Sequence, residues 1–579
     1  MSWNQSLWKK LPHSLGFRAP RNGMPDALTF TSALLIVLSF PPLNLWPLIW
    51  VSLIPWFFAL DRAVTLRQAV IQGVWLSIFM SLMVFHWVAH VLTEFGNVPI
   101  GVGVLGLILF SFIGEPQFYV FAWIHRVGFY PHSNAAVARS QPVRLLWLGL
   151  ISACIYVGVD WLCPKIFMDT LGHALSSARH LRQVADLGGA SLLSFLVFLV
   201  NDAIYFSLKD QSFKRVARQK IILALSLGLV FWTYGYFRLH QIQQILSESY
   251  EGVQVAAIQA NIGDFEKVAS ERGVRGAAEQ VLGAYSELTR QTMRSEPKPQ
   301  LVVWPETSYP STFGHAHSEA ESRLETRVQD LVQEIQIPLL FGGYDTLHGK
   351  DFNTFFFLSP RERLQAYHKN ILLLFGEFIP GAESFEFIRN AFPQVGNFGR
   401  GQGPEVVSVP YLDRQGQNQI LKVAPIICYE ALFSDFVIAS ARQGSQAIFN
   451  ITNDGWFGEW GEPQLHLALS TFRSIETRLP LFRSTNTGIS ALILPDGEIQ
   501  NATSIGARTV MNSRIPLSPP IPTLLKSWGD WMGPAGLFLG ILGFLLLRQI
   551  FDSNPSPVPP IRHYDGQVGS GKNPSKESA

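Results

Sequence analysis

The chain has 579 residues, 48% of them hydrophobic and 15% charged, with a formal net charge of +2. That length exceeds one ordinary domain, and so small a charge excludes the basic footprint of a nucleic-acid-binding protein. Cys154, Cys163 and Cys428 are the only cysteines, too few for a disulfide framework.

A bilayer-spanning helix needs about 20 largely apolar residues. Behind a basic leader, residues 1–26, such runs fall at 27–41, 43–60, 69–93, 100–125, 144–162, 189–207 and 220–238, with an eighth at 532–549. Pro41-Pro42 separates the first two as a tight turn. The first run leads into further apolar sequence with no small-residue cleavage site, so it reads as a span and not as a removed signal. Cys154 and Cys163 lie in or beside an apolar block, where a buried, inert thiol is expected. Glu115, Asp160, Asn201 and Asp202 are polar groups within the runs, expected near span ends or bonded to neighbouring helices. Gly536 and Gly540 permit close helix packing in the last run.

Basic residues set the orientation. Lys9, Lys10, Arg18 and Arg21 lie in the leader, Arg62 and Arg67 in the second-to-third connection, and Arg126 and Arg139 in the fourth-to-fifth. Lys209, Lys214, Arg215, Arg218 and Lys220 lie in the sixth-to-seventh, whereas the alternate connections carry only Lys165, Arg179 and Arg182. The leader and the C-terminal tail are therefore expected in the cytoplasm, and the block between the seventh and eighth spans outside it.

That block, 250–515, alternates strand-like and helix-like segments. Apolar runs of strand length fall at 253–260, 301–304, 338–344, 353–358, 421–428, 447–451 and 490–494, and amphipathic helical spacing at 274–294 and 318–335. Pro495-Asp496-Gly497 is a turn between two late strands. Such a stretch is long enough for one α/β domain with a sizeable core. The tail 552–579, rich in Pro, Ser, Gly and Lys, reads as disordered.

Cys428 ends an apolar strand and precedes a helical pattern. A cysteine at such a junction lies near a helix N-terminus, whose dipole and free N–H groups favour a thiolate and can hold an oxyanion. By position alone it reads equally well as a small core residue. Glu306 follows Trp304-Pro305 at the end of a strand; Lys369 follows the strand-like segment 364–367, and Glu377 closes Phe375-Gly376-Glu377. A carboxylate can take a thiol's proton, and an ammonium can stabilise a thiolate and then an oxyanion. Each residue alone is a weak signal; their order Glu, Lys, Cys, each at a strand end, is a stronger one.

Trp304-Pro305-Glu306, Lys369 with Phe375-Gly376-Glu377, and Ile427-Cys428-Tyr429-Glu430 resemble the Glu-Lys-Cys pattern of the nitrilase superfamily. Asn453-Asp454-Gly455-Trp456-Phe457-Gly458 and Arg483-Ser484-Thr485-Asn486-Thr487-Gly488 are similar to further motifs of one branch, the apolipoprotein N-acyltransferase family. The resemblance implies a multi-pass α-helical membrane domain of about eight spans, 27–240 plus 532–549, joined to a nitrilase-like α-β-β-α sandwich at 250–515. It also implies a bacterial inner-membrane protein with the sandwich in the periplasm and both termini cytoplasmic. The implied reaction is a ping-pong acyl transfer from a phospholipid, typically phosphatidylethanolamine, through a Cys428 thioester to the α-amine of a lipoprotein's diacylglyceryl-cysteine.

On that likeness Glu306 is the general base, Lys369 the oxyanion stabiliser and Glu377 a positioning carboxylate. Tyr429 and Glu430 would support the nucleophile. Asn453 and Trp456 would lie near substrate, with core packing an equal reading for Trp456. No cofactor or metal is implied, and a monomer is expected. The sequence departs from the family where a His and a Pro usually precede Phe-Gly-Glu, which here are Ile371 and Leu374, and where an Arg usually follows the acid at 160, which here is Cys163. These departures bear on substrate preference more than on reaction type.

His315 and His317 have no second ligand pair at metal-binding spacing. His466 has no evident role beside the cysteine, and 399–403 lacks the strand–helix context of a phosphate loop. A membrane-tethered amide or nitrile hydrolase would share Glu306, Lys369 and Cys428 but has no need of eight spans. A non-catalytic lipoprotein-binding factor has no need of the three residues.

Overall fold

A computed structural model describes residues 23–94, 98–129, 141–209, 211–249, 252–263, 276–316, 318–381, 385, 390 and 396–552. Lys9, Lys10, Arg18 and Arg21 of the leader, Arg139, His317 and the tail from 553 lie outside the described residues.

The apolar runs fold as helices. Among the described residues, five helical segments are long and apolar enough to cross a membrane: Leu66–Val84, Pro142–Leu162, Leu181–Leu208, Gln211–Glu248 and Met532–Gln549. A sixth is added if Ile100–Gly114 and Gln117–Phe129, which meet at 41°, form one bent span. The first two expected spans are shorter. Ala27–Ser39 has 13 residues, about 20 Å of helix against roughly 30 Å of hydrocarbon. The run 43–60 divides into the 3-10 turn Trp46–Val51 and the helix Ile54–Arg62. The physical reason is proline: Pro41, Pro42, Pro47 and Pro55 each lack the N–H that would continue a helix.

Asn201 repairs the second break. Its Oδ1 accepts from the Leu53 N–H at 2.8 Å and its Nδ2 donates to the Ile49 carbonyl at 2.9 Å, which satisfies backbone groups that a bilayer could not. Three further polar groups named from the sequence are paired: Asp202 with Lys220, Asp160 with Lys165 at 2.7 Å, and Glu115 with Gln117. Helices Pro142–Leu162 and Met532–Asp552 pack backbone to backbone. A Cβ on Gly536 would lie 2.9 Å from the Cys154 carbonyl oxygen, and one on Gly158 only 2.5 Å from Leu537 Cα. Leu105, Leu109, Leu225, Leu229, Phe538 and Leu545 are exposed on the outer faces, an apolar surface of the kind that lipid covers.

The second half contains β1 Gly252–Gln259, β2 Leu301–Val303, β3 Leu339–Leu347, β4 Lys350–Leu358, β5 Gln365–His368, β6 Val407–Leu412, β7 Asn418–Ile427, β8 Ala447–Thr452, β9 Leu481–Thr485, β10 Ala491–Ile493, β11 Ile499–Ala502 and β12 Thr509–Pro516. They form two six-stranded sheets in the orders β12-β1-β2-β3-β4-β5 and β11-β10-β9-β8-β7-β6. Strands β1, β2 and β3 run parallel, as do β7, β8 and β9. Helices Ala277–Thr292 and Glu319–Ile335 pack on the outer face of the first sheet, and Ser434–Arg442 on that of the second. The latter of the first pair starts at a Ser318–Glu321 capping box.

The inner faces meet through Val255, Val303 and Leu340 against Val423 and Phe449, and the Ser484 hydroxyl donates to the Val303 carbonyl at 3.2 Å. The expected α-β-β-α sandwich is present. Strands β6, β9 and β12 are additions to the sequence reading.

The inter-sheet core is continuous with that of the membrane helices. The Trp87 and Phe457 rings are 4.9 Å apart, and those of His173 and Phe472 are 4.7 Å apart. A buried ion pair, Arg478 to Asp186 at 2.9 Å, and a surface pair, Arg179 to Glu498 at 2.9 Å, fasten the start of segment Leu181–Leu208 and the connection before it to the sandwich.

Candidate active site

The candidate residues sit at the C-terminal ends of strands: Glu306 three residues after β2, Lys369 directly after β5, Cys428 after β7, Asn453 after β8 and Asn486 after β9. Because the sheets pack face to face, these ends converge.

Lys369 is 2% exposed, and its Nζ donates to Glu306 Oε1 at 3.1 Å and Glu377 Oε1 at 2.9 Å. Burial pulls its pKa down. The charges of Glu306 and Glu377, with Cys428, outweigh that and hold it well above the usual lysine value, so the group is an ammonium. Asn353 Nδ2 donates to the same two carboxylates, at 2.8 Å each. The second oxygen of Glu306 accepts the Asn453 N–H at 3.0 Å, and that of Glu377 accepts the Leu373 N–H at 2.8 Å.

Cys428 has φ +48°, a conformation rare outside glycine that concentrates at functional sites. Two expectations about it need correction. It opens a five-residue 3-10 turn, Cys428–Leu432, and the α-helix starts only at Ser434, so Cys428 is not at the N-terminus of that helix and does not gain its dipole. Burial, followed by the charge of Glu306, pushes the thiol's pKa well up against the opposing effect of Lys369. The resting group is therefore a thiol, and its proton must be removed at the moment of attack.

Glu430 is fully buried and takes four donors. Its Oε2 accepts from the Ile427 N–H and the Tyr367 hydroxyl at 2.8 Å each, and its Oε1 from the Asn370 and Ile371 N–H groups at 2.6 and 3.3 Å. Burial pushes its pKa up to about 7 against these bonds. Glu430 thus fastens the segment after Lys369 to the turn that carries Cys428, and Ile371 enters through its backbone. The Tyr429 hydroxyl donates to the Ile166 carbonyl, and its ring is 6.1 Å from Phe167, which joins the turn to the membrane half. Nearby, Lys165 supplies a cation beside Asp160, where Cys163 had left the family's arginine missing. Leu374 pairs with Phe378, and Phe375 between them is exposed with φ +63°.

Asn453 Oδ1 accepts from Asn486 Nδ2 at 3.2 Å, and Arg483 Nη2 reaches both oxygens of Asp454 at 2.9 and 2.8 Å. The two later motifs are therefore bound to each other. Trp456 is half-buried against the inter-sheet core. Asp454, Glu462 and His466 bring ligand atoms within 4.8 Å of one another, but the Arg483 guanidinium, which also lies 3.2 Å from His466 Nδ1, already holds the place of a cation. His315 and His368 both bond Asp345, at 2.9 and 2.8 Å.

Asn353 and Tyr367 escaped the sequence reading, because a single polar residue in a strand carries no spacing signal. Arg483 and Asn486 were visible only as motif residues. Gly342 is a further hidden requirement: a Cβ there would lie 2.6 Å from Glu306 Cα and Thr307 N and 2.7 Å from the Pro305 carbonyl oxygen. Gly342→Ala is expected to displace the Glu306 backbone and to cost about 1–3 kcal/mol by overpacking, read as a lower denaturant midpoint together with lost activity. An unchanged midpoint and activity would refute this.

Residues 32–203 match the apolipoprotein N-acyltransferase N-terminal domain, and 254–519 match the carbon-nitrogen hydrolase family. An apolipoprotein N-acyltransferase of Bdellovibrio bacteriovorus is 30% identical over 521 residues, covering 86% of this chain and 90% of that relative. The chain belongs to the apolipoprotein N-acyltransferase family. A Geobacter metallireducens apolipoprotein N-acyltransferase is 29% identical over 498 residues, covering 84% of this chain and 88% of the relative. Among solved structures, a Saccharomyces cerevisiae member of branch 10 of the nitrilase superfamily is 15% identical with a TM-score of 0.34, covering 54% of this chain and 97% of that one. Family membership makes this protein an acyltransferase enzyme of the carbon-nitrogen hydrolase superfamily.

Proposed function

We propose that the protein moves an acyl chain from a phospholipid, through a thioester on Cys428, to the α-amine of the diacylglyceryl-cysteine of lipoproteins. The observation that carries this reading is one buried constellation: a strained Cys428, a Lys369 ammonium and a Glu306 carboxylate. Its cysteine lies on a turn bonded to the membrane half through Tyr429 and Ile166.

In the first half-reaction Glu306 takes the thiol proton and the sulfur attacks the ester carbonyl. Lys369 faces the charge that develops on oxygen. The C–O bond breaks, and Glu306 returns the proton to the leaving lysophospholipid. In the second, the lipoprotein amine attacks the thioester, the C–S bond breaks, and the amine's proton passes through Glu306 to the sulfur. Glu377 and Asn353 hold Lys369 and Glu306 in place, and Glu430 and Tyr429 hold the nucleophile's turn. Asn453 acts on Glu306 through its N–H, while Trp456 packs beside the site. Burial keeps water from the thioester and so favours the amine.

The same reading divides the chain into a membrane unit at 27–240, a catalytic unit at 250–515 and a last span at 532–549, flanked by the leader 1–26 and the tail 552–579. It places a monomeric protein in the bacterial inner membrane, with the catalytic unit periplasmic, both termini cytoplasmic and phosphatidylethanolamine as donor. The alternation of basic connections supports this orientation, as does the docking of Arg179 and Asp186 onto the sandwich.

The test incubates the purified protein with acyl-labelled phosphatidylethanolamine. Wild type is expected to acquire label that neutral hydroxylamine removes, and Cys428→Ala none. A folded wild-type protein that stays unlabelled would overturn the reading.

A further inference from the structure

The motifs at 453–458 and 483–488 carry buried charges that the reaction above leaves unused. Asp454, Glu462, His466 and Arg483 are each 3% exposed or less. His466 Nδ1 lies 3.4 Å from Asp454 Oδ1 and 3.2 Å from Glu462 Oε1. Asp454 opens and Glu462 closes one segment, so a single imidazole touches both of its ends. The middle of the segment rests on the membrane half: Phe457 packs on Trp87 at 4.9 Å, and Gly461 sits where a Cβ would be 3.1 Å from His86. Immediately before the segment, the Asn453 N–H bonds Glu306 at 3.0 Å.

We propose that His466 and Glu462 are positioning residues for thioester formation: the imidazole ties the ends of segment 454–462 together and so holds the Asn453 N–H on Glu306. The proposal rests on the reading of Glu306 as the base. The groups that face the imidazole are Asp454 from the turn after β8, Glu462 from its own helix and Arg483 from β9. Arg483 is already committed to Asp454 and to Asn450 Oδ1, the latter at 2.7 Å. Among the described residues Glu462 Oε2 has no hydrogen-bond partner, which leaves the His466 ring as the group that holds this carboxylate.

Burial, then the charge of Asp454, pushes the Glu462 pKa up to about 7, and the two carboxylates hold that of His466 above its usual value against burial and Arg483. The sign follows. Above the Glu462 titration, two carboxylates face the imidazole and the tether is complete. Below it, Glu462 takes a proton and the bridge loses one of its charges.

The experiment measures single-turnover thioester formation on the full-length protein, against pH and phosphatidylethanolamine concentration. His466→Leu is expected to lower the maximal rate about 10²-fold, the scale of a misplaced catalytic group, with half-saturation unchanged. Glu462→Gln keeps an oxygen acceptor but cannot titrate. It is expected to retain most of the wild-type rate above the Glu462 titration and to lose the component of the pH profile centred near 7.

A wild-type rate in His466→Leu overturns the proposal. Should that variant fail to fold, Glu462→Gln decides alone, and a wild-type pH profile there overturns it. Glu306→Gln separates the two readings: a wild-type rate in that variant removes the base assignment, whereas a slow Glu306→Gln beside a normal His466→Leu removes only the tether.

Discussion

On the proposed mechanism, Glu306→Gln is expected to slow thioester formation by about 10²–10⁴-fold, the usual contribution of a general base, and to leave the protein folded. The buried thiol of Cys428 has its pKa pushed up and cannot shed its proton to water on its own. The carboxylate that raises it is the base of the proposed mechanism. Glu306 accepts from Lys369, Asn353 and the Asn453 N–H. A glutamine has one oxygen for these donors and turns an NH₂ toward at least one of them. Lys369 keeps Glu377 as a partner at 2.9 Å, so no buried cation is stranded and the fold survives. A quenched time course of hydroxylamine-sensitive label reads the rate directly. An unchanged rate would place the base elsewhere.

Lys369→Met acts on stability as well as chemistry. It removes the cation that bridges Glu306 and Glu377, which are 8% and 14% exposed at the side chain. Breaking a buried pair from one side costs about 3–5 kcal/mol, because the remaining carboxylates are neither solvated nor neutralised. Their common relief is to bind a proton, which also disarms Glu306 as a base. The expected result is a large drop in the denaturant midpoint together with loss of label on Cys428. Glu377→Gln in the same assay should be milder, since Lys369 then keeps Glu306 at 3.1 Å. A Lys369→Met protein with wild-type unfolding and wild-type labelling would contradict this account.

Much of the fold was legible as hydropathy. Runs of about 20 apolar residues marked the long helices, and short apolar runs marked β1–β4, β7, β8 and β10, because those strands are buried on both faces. The placement of Glu306, Lys369 and Cys428 was legible for a different reason: a residue that ends a strand is fixed in space by that strand, so its place in the chain already says where it lies. Strand β9 was not legible. Its sequence, Leu481–Thr485, carries Arg483 at its centre, and a charged residue argues against a buried strand until its partners are known. Those partners, Asp454 and Asn450, are 29 and 33 residues away. The first two expected spans are shorter and divided for a local reason, since proline interrupts helices that composition alone would continue.

The sequence by itself determined the classes of chemistry and architecture: an apolar helical half, an α/β half, and a Glu, Lys and Cys at successive strand ends. Only the tertiary structure decided the state of those groups. Whether Cys428 rests as thiol or thiolate depends on the balance of its desolvation against the charges of Glu306 and Lys369, which lie 122 and 59 residues from it in the chain. Whether Glu306 is held depends on Asn353 and Asn453, and whether the site meets the membrane half depends on Tyr429 reaching Ile166 across 263 residues. Strand order and hydropathy are properties of neighbours in the chain. Burial, ion pairing and proton affinity are properties of neighbours in space, and only the folded chain supplies those.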